Sequence, residues 1–175
     1  MELSLSFGNR GAFVSSDADA SRYAYSHALR TTARVGVGTL VTARRALVEV
    51  HHRVGGNPQR ALVGGVLLPA AGDALELEVR LSGSITLGAT PSYQGALGRH
   101  LVPGLPDEIG GAVEVALFAG IKCAGHFTVD RAAYDEVESS SHIFGVAAGL
   151  LALVLAFDSP EAAEAAVQDN LRSWQ

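Results

Sequence analysis

Only one cysteine, one methionine, one tryptophan and one lysine occur among the 175 residues, and the cysteine and the lysine each close off a class of function. Cys123 has no second thiol and no C-x-x-C neighbour, so an intrachain disulfide and a cysteine-rich zinc site are both excluded. Lys122 is followed by Cys123, not by Ser or Thr, and the pattern G-x-x-x-x-G-K-[ST] is absent, which excludes a P-loop. The longest strongly apolar run, Val146–Phe157, is too short to cross a bilayer and is interrupted by Gly149. Met1-Glu2-Leu3 has neither the basic start nor the apolar core of a secretory signal. The expectation is a cytoplasmic protein with no membrane partner.

What is present is a core-forming composition. Hydrophobic residues make up 48% and mean hydropathy is +0.23, enough for a single domain over residues 1–175. Charge is spread unevenly. Arg22 to Arg60 holds seven arginines against Glu49, a net +6, whereas residues 107–175 hold eleven acids against Lys122, Arg131 and Arg172, a net −8. The basic stretch reads either as an RNA-facing strip or as arginines on solvated faces paired with the acidic half. Arginine suits both, because its planar fork donates to phosphate and carboxylate alike.

Along the chain, Glu2–Phe7 alternates and predicts a strand ended by Gly8-Asn9-Arg10-Gly11. Ser15 to Asp19 reads as a polar loop or cap, Ala20–Ala33 as helix-tolerant but ambiguous, and Val35–Gly38 as a bend. Thr39–Thr42 and Ala46–Val54 predict strands, the second with Val48, Val50 and His52 on one face and Glu49, His51 and Arg53 on the other. Gly55-Gly56-Asn57-Pro58 is a turn by composition. Ala61–Leu68 is an apolar strand, and Ala74–Leu81 alternates cleanly with Leu75, Leu77, Val79 and Leu81 inward. Ser82–Gly98 reads as a loop with a short strand near Ile85–Leu87. Asp158-Ser159-Pro160-Glu161 is a capping box that opens a last helix, Glu161–Arg172, with Ala162, Ala165/Ala166 and Leu171 inward.

The most legible stretch is Leu101–Phe157. Pro106-Asp107-Glu108 opens a helix, with Ile109, Ala112/Val113, Ala116/Leu117 and Gly120/Ile121 at the spacing of one buried face. Phe127, Val129 and Arg131 then alternate with Thr128 and Asp130 as a strand, and Ser139–Ser141 offers hydroxyl caps for a helix reaching about Phe157. The resulting class is α+β: a mostly antiparallel sheet with helices packed on one face.

The order GG-A-V-x-x-x-L-x-x-G-I, G-H-F-T-V-D and Y-D-E-V-E-S-S-S-H-I-F-G-V-A-A resembles domain IV of elongation factor G. The best matching positions are Pro103, Gly125, Val129, Asp130, Tyr134, Val137, Ser139, Ser140, Phe144 and Ala147. His52 to Gln59 is similar to that family's first tip loop, a basic stretch leading into S-G-G-R-G-Q. The core of the resemblance spans 46–157, leaving an N-terminal extension, 1–45, and a C-terminal helix, 158–175. It implies a two-layer fold like the second domain of ribosomal protein S5, with a left-handed crossover. It also implies a stand-alone, non-catalytic tip module that binds the ribosome or a structured RNA, without the factor's GTPase domain. The RNA contacts it implies are Arg53, Gly55, Gly56, Asn57, Gln59 and Arg60 on the first loop and Tyr134, Asp135 and Glu136 on the second. The family has a histidine after the tip tyrosine where this chain has Asp135, and a carboxylate repels phosphate.

Other chemistry reads weakly. Adjacent strand residues His51 and His52 point to opposite faces and cannot share an ion without a bulge, so no metal or cofactor is expected. Cys123 near His126 resembles a thiol–imidazole pair, but a helix end opposes a thiolate there and a structural cysteine fits better. Ser139 to His142 is explained by capping. The alternative function is a protein-interaction or dimerisation module on the same fold, with the apolar helices forming a homo-oligomer. The weakest is a small-molecule enzyme with a pocket near Cys123 and His126.

Overall fold

A computed structural model describes residues 2–16, 21–35 and 42–173. In chain order the elements are β1 (Glu2–Phe7), β2 (Arg10–Ser15), β3 (His27–Arg34), β4 (Arg44–Val54), β5 (Asn57–Leu68), β6 (Ala74–Leu81), β7 (Tyr93–Gln94), β8 (His100–Pro103), α1 (Asp107–Gly120), β9 (Gly125–Tyr134), α2 (Ser141–Ala156) and α3 (Pro160–Ser173). The strands run in the order β1-β2-β4-β5-β9-β6-β3. Each pairing along that path is antiparallel except β6 with β9, which is parallel. β9 is flanked by β5 on one side; on the other, β6 runs beside its first half and β8 beside its end.

The helices share one face. α1 lies over β6 and β3, α2 over β4 and β5, and α3 over β1 and β2. The core follows strand parity: Val48 and Val50, Ala61 and Val63, Leu75 to Leu81 on alternate positions, Phe127 and Val129 all meet Ile143, Phe144, Ala147 and Leu151 of α2 or Ile109, Val113 and Leu117 of α1. α1 and α2 approach closely because glycine and alanine face each other: a Cβ on Gly120 would sit 2.4 Å from that of Ala152. The opposite face is covered in part by residues 82–104, whose Tyr93 and Leu101 pack on Leu47, Leu62 and Ala133.

Several sequence expectations hold and several are corrected. β4, β6 and α1 lie where the pattern puts them, β5 begins at Asn57 so that Asn57 and Pro58 are strand and not turn, and Ser140 caps α2 by accepting from the Ile143 N–H. Ala20–Ala33 is not helical where it is described. Its second half is β3, in which Arg30 opposes Glu78 and donates to it at 2.9 Å, so cross-strand pairing decides the conformation. Arg10 does not end a loop but begins β2, because Gly8-Asn9 turns the chain in two residues. The short strand expected near Ile85–Leu87 lies instead at Tyr93–Gln94. In α3 the buried residues are Ala163, Val167 and Leu171, so the inward stripe sits one residue later at its start. The strand expected at Thr39–Thr42, the bend at Val35–Gly38 and the loop at Asp17–Asp19 fall largely outside the described residues.

Arg131 does not continue the inward alternation of Phe127 and Val129. Pairing with β5 slips between Gly64 and Gly65, so Gly64 opposes Arg131 while Gly65 opposes Val129. Asp130 is the extra residue of this bulge, and the parity flips: Ala132 and Tyr134 face the helices, while Ala133 joins the other face. Arg131 is buried there, with Nη1 2.7 Å from Asp130 Oδ2.

Candidate nucleic-acid interface

Two turns and one longer loop meet at a single end of the sheet. Val54 pairs with Asn57, so Gly55-Gly56 is a two-residue hairpin loop with φ of +56° and +90°. Two consecutive positive φ values match the right-handed twist of the flanking strands and are open to glycine at little cost. Next to it, the Gly8-Asn9 turn is tied on by the Arg53 N–H donating to Asn9 O at 3.0 Å, and by Asn9 Nδ2 donating back to Arg53 O. On the other flank, β9 runs antiparallel to β5, which brings the loop after Tyr134 to the same end. There the Arg60 N–H donates to Glu138 O at 2.9 Å and Ser139 Oγ donates to Arg60 O at 2.7 Å.

An ionic clamp holds these pieces. Glu138 lies between two guanidinium groups, with Oε2 2.7 Å from Arg60 Nε and Oε1 3.2 Å from Arg99 Nη2. The side chains of Arg60 and Glu138 are only 10% and 12% exposed, so this pair is largely desolvated. Asp135 is also turned inward. Its Oδ1 accepts from the N–H groups of Val137 and Glu138 at 2.8 and 2.9 Å, closing the loop as an Asx turn. The carboxylate therefore has a backbone role, which leaves Val137, 89% exposed, at the crest.

Beneath the clamp, Glu49 is 1% exposed and accepts from the Leu97 N–H at 3.3 Å. Burial pushes its carboxyl above the usual carboxylate range, and the amides of Leu97 and Ala96 with the Arg60 charge only partly oppose that. Gly95 touches it: a Cβ there would lie 2.4 Å from Glu49 Oε1. On the neighbouring positions of β4, His51 and His52 are both held below the ordinary imidazole range, chiefly by burial. The Arg60 charge adds to this for His51, and Arg10 and His142 for His52.

The candidate contacts thus divide. Arg53, Gly55, Gly56 and Asn57 are exposed at the tip, and Glu136 is half-buried beside it. Arg53 has no carboxylate partner among the described residues. Arg60 is occupied by Glu138, Tyr134 is buried at 3% exposure, and Gln59 is half-buried with its Oε1 sealed from solvent. Of the seven arginines in the basic stretch, four are seen paired with acids: Arg44 and Arg60 with Asp158 and Glu138 of the acidic half, and Arg30 and Arg34 with Glu78 and Asp73 outside it. Sequence reasoning placed Glu138 in the second loop but missed its ion pairs, and it missed Arg99 and Glu49 as parts of this end. Only the odd sight of an acid inside the strand Val48–Val50 pointed toward one of them.

The remaining chemistry candidates are accounted for locally. His126 Nδ1 lies 2.9 Å from Glu76 Oε2, and Cys123 packs at the border of the core. Ser141 Oγ donates to Glu108 O and Ser140 caps α2, so these hydroxyls tie loops and helix ends. Among the described residues, no three His, Cys, Asp or Glu side chains gather as metal ligands, and no helix is long and apolar enough to cross a membrane. Comparison with known proteins returns no matching family model and no matching curated protein.

Proposed function

We propose that this chain is a non-catalytic domain resembling domain IV of elongation factor G, and that it binds the ribosome or a structured RNA through the loop end. The observation that carries the reading is the adjacency of the Gly55-Gly56 hairpin and the loop Asp135–Ser139, joined by the Arg60–Glu138 backbone hydrogen bond of 2.9 Å. Two loops far apart in sequence form one presenting edge, as the resemblance requires of the family's two tip loops. The finer fold assignment, a ribosomal protein S5 domain 2-like sandwich, belongs to the same proposal. Its support is the parallel β6–β9 pair joined through α1, with antiparallel strands on both sides.

Affinity on this reading comes from Arg53, from the tip amides and from Asn57. Phosphate contacts by one or two cations imply weak, strongly salt-dependent binding. The test is sedimentation with ribosomes at about 50 mM and about 200 mM salt. Wild type pellets at the lower salt and Arg53→Glu does not, with an unchanged melting curve. Failure of wild type to pellet at either salt refutes the proposal. Arg60→Glu is unsuitable as a probe, since it would place two carboxylates together in the clamp.

A second reading, a module that pairs with a second copy of itself, is favoured by one feature. A hollow of about 340 Å³ on the outer side of the helix layer is lined by Gly120, Val146, Gly149, Leu153 and Ala156, with no charged residue in its lining. A second copy meets no like-charge repulsion there. A dimer on sizing that Leu153→Glu dissociates supports it, and a monomer at all concentrations rejects it.

A further inference from the structure

Beside the tip, on the face of the sheet away from the helices, lies a groove of about 500 Å³ that shares Arg53 with the contacts proposed above. Its floor is the N-terminal hairpin. Ser4 and Ser6 of β1 and the bare backbone at Gly11 of β2 line it, His51 and Arg53 of β4 form one wall, and Leu97 closes an end. Strand pairing accounts for this grouping. Ser6 opposes Gly11 and Gly11 opposes His51, so all three side-chain positions fall on one face.

The chemistry of the lining is one-sided. It contains hydroxyls, an amide, an imidazole and two guanidinium-bearing residues, Arg53 and Arg10, and it contains no carboxylate. Arg10 spends its Nη1 on Leu171 O at 2.8 Å, at the end of α3, so Arg53 is the cation left to face the groove. His51 stays neutral at pH 7, because burial and the neighbouring Arg60 disfavour its charged form. A neutral imidazole beside a fixed guanidinium offers one hydrogen-bond donor or acceptor and a flat ring. In a chain of net charge −5, an acid-free hollow with a free guanidinium is selective for an anion. The hydroxyls and the ring suit a sugar and a base better than they suit a bare ion.

We infer that this groove seats one nucleotide of a single-stranded RNA segment, its phosphate on Arg53 and its ribose against Ser4 and Ser6, with the base against His51. The inference rests on the RNA reading of the tip and extends it onto residues outside the stretch that carries the family resemblance. The groove exists because β1 and β2 widen the sheet next to β4. A strand lying across the joined Gly55-Gly56 and Gly8-Asn9 turns leads directly into it.

The test is fluorescence anisotropy with a labelled twelve-nucleotide oligouridylate and, separately, with uridine monophosphate as competitor. The variants are Ser6→Glu and His51→Ala in the groove, and Asn57→Asp at the tip. Ser6 is exposed on an edge strand, so Ser6→Glu leaves the fold intact and places a carboxylate against the ribose, where it also repels the phosphate on Arg53. The expected result is roughly a tenfold or greater loss of oligonucleotide affinity for Ser6→Glu, by charge repulsion, and a several-fold loss for His51→Ala, by loss of the ring under the base. Competition by the monophosphate would show that the groove takes a free nucleotide as well as a strand. Oligonucleotide binding that Asn57→Asp weakens but Ser6→Glu and His51→Ala leave unchanged overturns the groove and spares the tip. Absence of binding by wild type overturns both.

Discussion

Truncating Glu138 to alanine tests the physical basis of the loop end. The substitution removes the carboxylate that Arg60 and Arg99 share, and it leaves the Arg60 guanidinium, whose side chain is 10% exposed, without its counter-charge. Breaking one side of a buried ion pair costs about 3–5 kcal/mol. Two features lower that figure. Water reaches both partners slightly, and the Arg60 N–H to Glu138 O hydrogen bond survives truncation. We expect about 2–4 kcal/mol, measured as a lower urea midpoint with unchanged slope. For a chain of this length that is a fall in Tm of about 6–12 °C at the middle of the range. Arg99→Ala, with its side chain 57% exposed, costs under about 1 kcal/mol. The double variant Arg60→Met/Glu138→Leu recovers most of the loss, because the buried guanidinium leaves together with its carboxylate and the apolar pair fills the space. Glu138→Ala within about 0.5 kcal/mol of wild type, or a double variant as weak as the single, would refute the reasoning.

Other perturbations read neighbouring parts of the same end. Gly95→Ala puts a methyl against the buried Glu49 carboxylate, which must shift from its hydrogen bond with the Leu97 N–H, and should cost about 1–3 kcal/mol by urea unfolding. Stability against pH should show two opposed limbs. The Glu49 carboxyl is raised in the folded state, so its contribution is full below the ordinary value of 4.5 and is lost as pH rises through the folded pKa; Glu49→Gln flattens that limb. His51 and His52 are both lowered, so their contribution is full above 6.5 and is lost as pH falls through the folded pKa values; His51→Asn/His52→Asn together flatten that one. Urea midpoints at half-unit pH steps from about 4 to 8 separate the two, and a limb that survives its own substitution contradicts the assignment.

How much of this was legible in the sequence depends on whether local pattern or remote pairing decided the outcome. β6 was readable in full, since ALELEVRL alternates and its burial follows the alternation residue by residue. α1 and α2 were readable because proline, acids and a serine cap mark their starts. β3 was not, because Tyr23 to Thr32 carries no clean period and its strand form comes from pairing with β6, 46 residues later in register at Thr31–Leu77. The bulge at Asp130 was invisible for the same reason: nothing in GHFTVDRAAY announces an extra residue, and the slip is set against Gly64 and Gly65 of another strand. At the loop end the two glycines and Arg53 were visible as a turn with a cation. The clamp was not, since it joins positions 60, 99 and 138 through the folded sheet alone.

The most direct test of RNA recognition by the loop end is an amide-shift map by NMR, recorded as an RNA hairpin with a single-stranded extension is added. The expected perturbations concentrate at residues 8–9, 53–57 and 135–139, continue onto Ser4, Ser6 and His51, and shrink as salt is raised. Perturbations confined to the helix layer around Val115, Val146, Gly149 and Leu153, or none at any RNA concentration, would contradict it.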